Sequence, residues 1–148
     1  MRKYMIIKKK YIGSYGVIIE KNKIVLIRKS GGGYQGKLDL PGGGIEYQED
    51  PVATLKREID EEVGVIVKDY QLLDVLSNNI MWKMNTEKYE DLHHIGIIYK
   101  VKIEGNIKKE ADGRDSLGSN WYSINELKRH ELTPFASKTL EKLGYKLK

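Results

Sequence analysis

Three glutamates lie close together in one acidic segment of the chain. Glu58, Glu61 and Glu62 are three and four residues apart, so on an α-helix their side chains would share one face. Like charges at this spacing repel one another, and a bound cation would relieve that repulsion. Carboxylate oxygens without His or Cys suit Mg²⁺ or Mn²⁺ better than Zn²⁺. The segment therefore predicts a divalent-metal site, with Mg²⁺ as the first choice and Mn²⁺ as a possible substitute.

The residues around these glutamates predict the helix that would carry them. Asp50 is a favourable N-cap, Pro51 fits the first helical position, and Gly64 fits the position just past the end. The helix is expected from about Pro51 to Val63. One arc of this helix carries its apolar residues, which are Val52, Leu55, Ile59 and Val63. The glutamates would lie at the rim of this buried stripe; taken alone, they would also fit an ordinary solvated helix face.

The residues from Gly43 to Val65 complete a longer pattern. They read GGIEYQEDPVATLKREIDEEVGV and match the Nudix box, G-x5-E-x7-R-E-U-x-E-E-x-G-U with U a bulky apolar residue, at every fixed position. Because so many positions are fixed, a chance match is improbable. The chain therefore resembles the Nudix hydrolases, which cleave phosphoanhydride bonds in nucleoside diphosphate derivatives. The resemblance implies an α/β protein, namely an α/β/α sandwich with a central mixed β-sheet.

Roles for the box residues follow from the same resemblance. It implies that Glu58 and Glu62 are the principal metal ligands, with Glu61 close by and the Gly43 carbonyl as a further ligand. It also implies that the metal neutralises phosphate oxygens and activates a water. Arg57 is expected to orient a catalytic carboxylate, and it lies within ion-pair reach of Glu61 on a helix.

The general base is left open by the resemblance. Some Nudix enzymes take an additional acidic residue from a loop a few positions before a Trp, and the segment Gly113 to Trp121 is similar to that loop. Asp115 is the first candidate there and Glu110 the second. Glu58, Glu61 and Asp115 all remain possible bases, while simple solvation of the loop is the alternative for its acidic residues.

Outside the box, four residues are candidates for substrate binding. Arg28 at the end of a predicted strand and Lys37 before the Pro-Gly-Gly loop are placed to meet phosphates. Tyr34, and with it Trp82, could stack on a base. His93 and His94 should point to opposite faces of a strand, and we assign them a structural role. The expected substrate is a small nucleotide, first a nucleoside triphosphate.

The remaining pattern predicts one domain over residues 1–148. Tyr11 to Ile19 and Ile24 to Arg28 are expected to form a hairpin, and residues 1–10 a tail or an extra strand. Strands are expected at Val65 to Leu76 and His94 to Ile103, with a loop over Ser77 to Asp91 between them. A short strand at 38–40, a short helix opened by a Ser123 capping box, and a last helix opened by Thr133-Pro134 complete the pattern.

Composition limits the other classes of function. The 148 residues include no Cys, carry a formal net charge of +5, and contain no apolar run long enough for a membrane span or a signal peptide. We expect a cytoplasmic protein, with a homodimer possible. The positive charge suits a nucleotide, whereas the lack of a basic, aromatic-rich patch argues against a nucleic-acid partner. A nucleotide sensor without hydrolysis and an RNA 5′-end pyrophosphohydrolase are the alternative functions.

Overall fold

The computed structural model describes residues 3–109 and 116–148. The strands are β1 (Met5–Val17), β2 (Ile19–Glu20), β3 (Lys23–Lys29), β4 (Leu38–Asp39), β5 (Gly42–Gly44), β6 (Ile66–Lys83), β7 (Lys88–Glu104) and β8 (Ser116–Ser123). The α-helices are α1 (Pro51–Val63) and α2 (Pro134–Lys142), and two short 3₁₀ helices cover Ile124–Glu126 and Arg129–Glu131. No helix in these two ranges is long and apolar enough to cross a membrane.

The strands form one mixed and one antiparallel sheet. The mixed sheet has the order β5-β1-β7-β6, in which β1 is parallel to β7 and antiparallel to β5. In the second sheet, β3 pairs antiparallel with β2, β4 and β8. The predicted mixed sheet is confirmed, and the antiparallel sheet adds to it.

The two helices pack on opposite faces of the antiparallel sheet. Along β3, Ile24 belongs to the core cluster that contains Phe135 of α2. The next residue, Val25, belongs to the cluster that contains Leu55 of α1. Successive side chains of a strand point to opposite faces, so α1 and α2 pack on opposite faces of β3. This is the layered α/β/α arrangement that the sequence predicts.

Local signals at both ends explain why α1 has the predicted bounds. The Asp50 side chain accepts a hydrogen bond from the Val52 amide at 2.8 Å, as an N-cap does. Gly64 adopts a left-handed conformation with φ of 75°, and its amide closes the last turn onto Ile59 and Asp60. The acidic segment is therefore held on a well-capped helix.

The predicted loop over Ser77 to Asp91 is wrong. In its place, β6 and β7 continue as a long antiparallel hairpin in which Asn78 pairs with His94 and Trp82 with Glu90. Burial alternates here, since every second side chain of β6 from Leu76 to Trp82 is partly buried. The residue types do not alternate, because Ser77, Asn78 and Asn79 are three consecutive polar residues, and this weakens the strand signal on which the sequence prediction depends.

The N-terminal hairpin is only partly as predicted. Lys21 and Asn22 have φ of 48° and 62°, which fits the tight turn between β2 and β3. Most of the segment before that turn pairs elsewhere, however, because β1 runs beside β7 from Met5 to Val17. The residues from Met5 onward therefore form an extra length of strand rather than a tail.

The predicted helix after Ser123 is a single 3₁₀ turn, and the Ser123 side chain does not cap it. The last helix is confirmed as α2, whose N-cap Thr133 accepts a hydrogen bond from the Ala136 amide. Thr133 also donates to Asp39 Oδ1 at 2.6 Å. This bond connects the start of α2 to the end of β4.

Candidate metal and nucleotide site

A cavity of about 440 Å³ opens beside β5, whose Gly42 and Gly43 line it. Its walls come from β1, β7, the end of β6 and the glycine-rich loop that follows β3, and β5 closes one end. Residues used below include Tyr11, Tyr15, Tyr34, Gly42, Gly43 and His94. This volume lies within the range of nucleotide-sized ligand pockets.

Glu58 of α1 lies directly against the backbone of Gly43. A Cβ atom built on Gly43 would be 2.7 Å from Glu58 Cδ and Oε1, closer than nonbonded carbon atoms approach. Glycine at this position therefore lets the β5 backbone contact a carboxylate. The Glu58 side chain is 15% exposed.

Arg57 connects the carboxylates around Glu58. Its Nε and Nη2 donate to the two oxygens of Glu49 at 2.8 and 2.9 Å, and its Nη1 donates to Glu58 Oε1 at 2.9 Å. Glu61 Oε2 lies 3.6 Å from the same Nη1. The hydrogen bonds from Arg57, with a smaller contribution from Thr54, lower the pKa of Glu49 to about 2. Arg57 thus fixes the position of Glu58 while Glu49 holds Arg57 in place.

Glu62 is the deepest of the three glutamates, with 1% of its surface exposed. Its Oε1 accepts a hydrogen bond from the Gly42 amide at 3.2 Å. Glu58 and Glu62, one turn apart on α1, therefore meet the backbones of two consecutive glycines in β5. The side chains that the sequence predicts as metal ligands therefore also hold α1 against β5.

The donor set fits a hard divalent cation. Among the described residues, no three Asp, Glu, His or Cys side chains form a group that could hold a metal ion. Arg57 donates to Glu58 and lies beside Glu61. Mg²⁺, however, keeps several of its waters and needs only one or two carboxylates together with substrate phosphates. Glu58 beside Gly43 and Glu62 beside Gly42 meet this requirement, and no nitrogen or sulfur ligand is needed.

Two buried aromatic groups form a neutral wall of the cavity. The Tyr15 hydroxyl lies 2.6 Å from His94 Nε2. Burial, assisted by the charge of Asp39, raises the pKa of Tyr15 well above its usual value. Burial, assisted by Lys29, lowers the pKa of His94 to about 4. At neutral pH Tyr15 therefore keeps its proton and His94 carries no charge.

The pKa of His94 predicts a loss of stability in mild acid. Between pH 6.5 and 4 the unfolded chain binds a proton at His94 that the folded protein excludes. The contribution of this group to the free energy of unfolding is therefore complete above pH 6.5 and is lost as the pH falls towards 4, by on the order of 2 kcal/mol. Urea denaturation at pH 7 and pH 5 measures this change.

His94→Gln should reduce the difference in unfolding free energy between pH 7 and pH 5. The neighbouring His93 is exposed, so His93→Gln is the matched control and should retain the wild-type difference. An unchanged pH dependence in His94→Gln would contradict the assignment, whatever the absolute stability of that variant.

Of the other predicted site residues that the structure describes, Tyr34 lines the cavity, whereas Arg28 and Lys37 do not. Tyr34 lines the cavity, is 8% exposed, and accepts a hydrogen bond from Asn78 Nδ2 at 2.7 Å. Arg28 donates to the Gly36 carbonyl and Lys37 to the His130 carbonyl, and neither lines the cavity. Asp115 and Glu110 lie outside the described residues.

Several residues that line the cavity are not among the predicted site residues. Lys9, Lys29, Glu90 and the ring of His94 line it. Parallel pairing of β1 with β7 places Lys9 opposite Leu92 and Tyr11 opposite His94. Only a correct strand register could have revealed these neighbours, since they are about eighty residues apart in the chain.

Known proteins resemble the chain over most of its length. It is 29% identical to an ADP-ribose pyrophosphatase of Methanocaldococcus jannaschii over 127 residues, which is 86% of this chain and 70% of that protein. It is 27% identical to an 8-oxo-dGTP diphosphatase of Escherichia coli over 126 residues, 84% of this chain and 88% of that protein. A MutT NUDIX hydrolase structure from Burkholderia pseudomallei superimposes with a TM-score of 0.73 at 23% identity, covering 91% of this chain and 98% of the other.

The sequence model of the NUDIX domain family matches residues 10–143, which is well over half of the chain. The structural neighbour supports the fold, and the two relatives support the enzyme class. The sequence predictions of the fold, the enzyme class and the hydrolysis of a nucleotide phosphoanhydride bond are therefore confirmed. The intact box and the match across the domain lead to one conclusion: the chain belongs to the NUDIX family of hydrolases.

Proposed function

We propose that the chain uses Mg²⁺ to hydrolyse a nucleoside triphosphate or another small nucleoside diphosphate derivative. The observation that carries the proposal is the position of Glu58, which is held by Arg57 and lies against Gly43 at the edge of the cavity. A nucleotide in this cavity would bring its phosphates to the carboxylates of α1. Mn²⁺, another hard divalent cation, is the expected substitute.

In this proposal, Glu58 and Glu62 hold the metal, with Glu61 and the Gly43 carbonyl as further ligands. The bound ion supplies charge neutralisation for the phosphate oxygens and lowers the pKa of a water. Arg57 is a positioning residue, since it fixes Glu58 and is itself fixed by Glu49.

Hydrolysis requires a base that accepts a proton as the water oxygen bonds to phosphorus. The anhydride P–O bond breaks, and the leaving phosphate takes the bonding electrons. Glu58, Glu61 and Asp115 are the proposed bases. The hydrogen bond from Arg57 holds the Glu58 carboxylate in position beside Gly43.

Lys29 is proposed as the phosphate-attracting charge, because it lines the cavity. It replaces Arg28 and Lys37, whose side chains are directed to carbonyl groups elsewhere. Tyr34 remains the proposed aromatic contact of the substrate.

The test is a product analysis with Mg²⁺ on a panel of nucleotides. The panel contains nucleoside triphosphates, 8-oxo-dGTP, ADP-ribose, dinucleoside polyphosphates and 5′-triphosphorylated RNA. We expect a nucleoside monophosphate and pyrophosphate from at least one triphosphate, and no product in EDTA. Tight binding of nucleotides with no product after long incubation would instead indicate a sensor, and activity on RNA alone would move the substrate class to RNA ends.

A further inference from the structure

A buried carboxylate lies in the cavity wall away from the α1 glutamates. Glu90 of β7 is 9% exposed and lines the cavity together with Tyr11, Met84 and Leu92. Among the described residues, its side chain has one hydrogen bond, from Trp82 Nε1 to Glu90 Oε1 at 2.9 Å. No Lys or Arg of the described ranges forms an ion pair with it. Glu90 is therefore a buried carboxylate with one hydrogen-bond donor, in a wall that also contains Lys9.

One donor leaves most of the hydrogen-bonding capacity of Glu90 unused. An ionised carboxylate has about four acceptor sites on two oxygens, and a buried carboxylate is costly unless donors surround it. Because the group faces a cavity, a ligand with N–H groups can supply the missing donors. The β5 end of the same cavity contains Gly42 and Gly43, where phosphates would meet α1.

We propose that Glu90 recognises the base of the substrate and selects guanine. This inference rests on the proposed function, since it names the base of the nucleotide that the site hydrolyses. Guanine presents two adjacent donors, N1–H and the 2-amino group, on its Watson–Crick edge. A carboxylate accepts both in parallel, as it does from the two N–H groups of an arginine fork.

The other bases do not offer this pair of donors. Adenine and cytosine place an amino group beside a ring nitrogen acceptor, which would face the second carboxylate oxygen. Uracil has one N–H between two carbonyl groups, and hypoxanthine has N1–H without the amino group. A buried acceptor opposite an acceptor is strongly disfavoured, so a single well-placed polar group gives large discrimination.

Trp82 is the positioning residue for Glu90. Its indole N–H holds Oε1, which keeps a second lone pair for the base. The Trp82 ring packs against the glycine-rich loop, since a Cβ atom on Gly33 would lie 3.0 Å from Trp82 Cδ1. The glycine-rich loop therefore contacts the Trp82 indole, and the indole contacts the Glu90 carboxylate.

The test measures binding of nucleoside monophosphates in EDTA, where hydrolysis plays no part. We expect the wild type to bind GMP about 10-fold more tightly than IMP and about 100-fold more tightly than AMP by titration calorimetry. Glu90→Gln replaces one acceptor by a donor and should bring the three affinities within about threefold of one another. Trp82→Phe keeps an aromatic side chain, smaller and without the N–H, and should reduce the ratio of GMP affinity to IMP affinity.

Glu87→Gln is the matched control, because Glu87 is exposed in the turn of the same hairpin; it should retain the wild-type ratios. Equal affinities of GMP, IMP and AMP for the wild type, no saturable binding of GMP, or an unchanged ratio in Glu90→Gln would overturn the inference. Hydrolysis of triphosphates without any preference for guanine would overturn it too, while leaving the proposed function intact.

Discussion

Glu58→Gln is expected to lower kcat for Mg²⁺-dependent nucleotide hydrolysis by about a thousandfold or more, with the fold retained. The amide keeps the shape of the side chain but removes the charge beside Gly43 and Arg57. A metal contributes several kcal/mol to stabilising the charge of the transition state, and about 4 kcal/mol corresponds to a thousandfold in rate. Steady-state kinetics with Mg²⁺, together with circular dichroism, measure the two effects separately.

Glu62→Gln should have an effect of the same order for a related reason. The Gln amide oxygen can still accept the hydrogen bond from the Gly42 amide, so the helix and loop should stay connected. The negative charge of this buried position is nevertheless lost. Mn²⁺ binding followed by electron paramagnetic resonance gives a readout other than turnover, and both variants should bind Mn²⁺ more weakly.

Asp60→Asn is the matched control for these two variants. Asp60 lies on the same helix between them, is exposed, and loses the same charge on substitution. It should keep kcat and Mn²⁺ affinity within about threefold of the wild type. Full activity in Glu58→Gln and Glu62→Gln, or an equal loss in Asp60→Asn, would refute the role of these carboxylates.

The acidic helix could be predicted from the sequence because its signals are local. The cap at Asp50, the proline after it and Gly64 past its end are short-range features, and the structure places α1 at the predicted residues. The contacts between α1 and β5 also follow from residues within one short segment, since Glu58 and Glu62 meet Gly43 and Gly42. Local sequence was therefore sufficient for this half of the site.

The cavity could not be predicted in the same way, because its walls depend on pairing between distant strands. Tyr15 meets His94 only because β1 runs parallel to β7 in one register, and a shift of one residue would turn His94 to the opposite face. Trp82 and Glu90 meet across a hairpin whose polar residues favour a loop in the sequence prediction. The directions of the Arg28 and Lys37 side chains could not be predicted either, since neither the charge of a residue nor its position in the chain reveals where its side chain points.

Gly43→Ala is expected to lower kcat by about a hundredfold with little loss of stability. The new methyl group would start 2.7 Å from the Glu58 carboxylate. Because that carboxylate ends a flexible side chain, it can move away, and the displacement needed is roughly 1 Å. A misplacement of this size at a catalytic group typically costs about a hundredfold in rate. Kinetics and urea denaturation of the same preparation test the prediction.

Gly16→Ala provides the contrasting variant, because its steric conflict lies in the core instead of at the site. A Cβ atom on Gly16 would lie 2.7 Å from Ile59 Cδ1, and overpacking of this kind costs about 1 to 3 kcal/mol of stability. This variant should lose stability and keep kcat, whereas Gly43→Ala should do the reverse. If Gly43→Ala instead retained kcat, contact between the β5 backbone and Glu58 would have no catalytic role. Glycine at position 43 would then serve only the packing of α1 against β5.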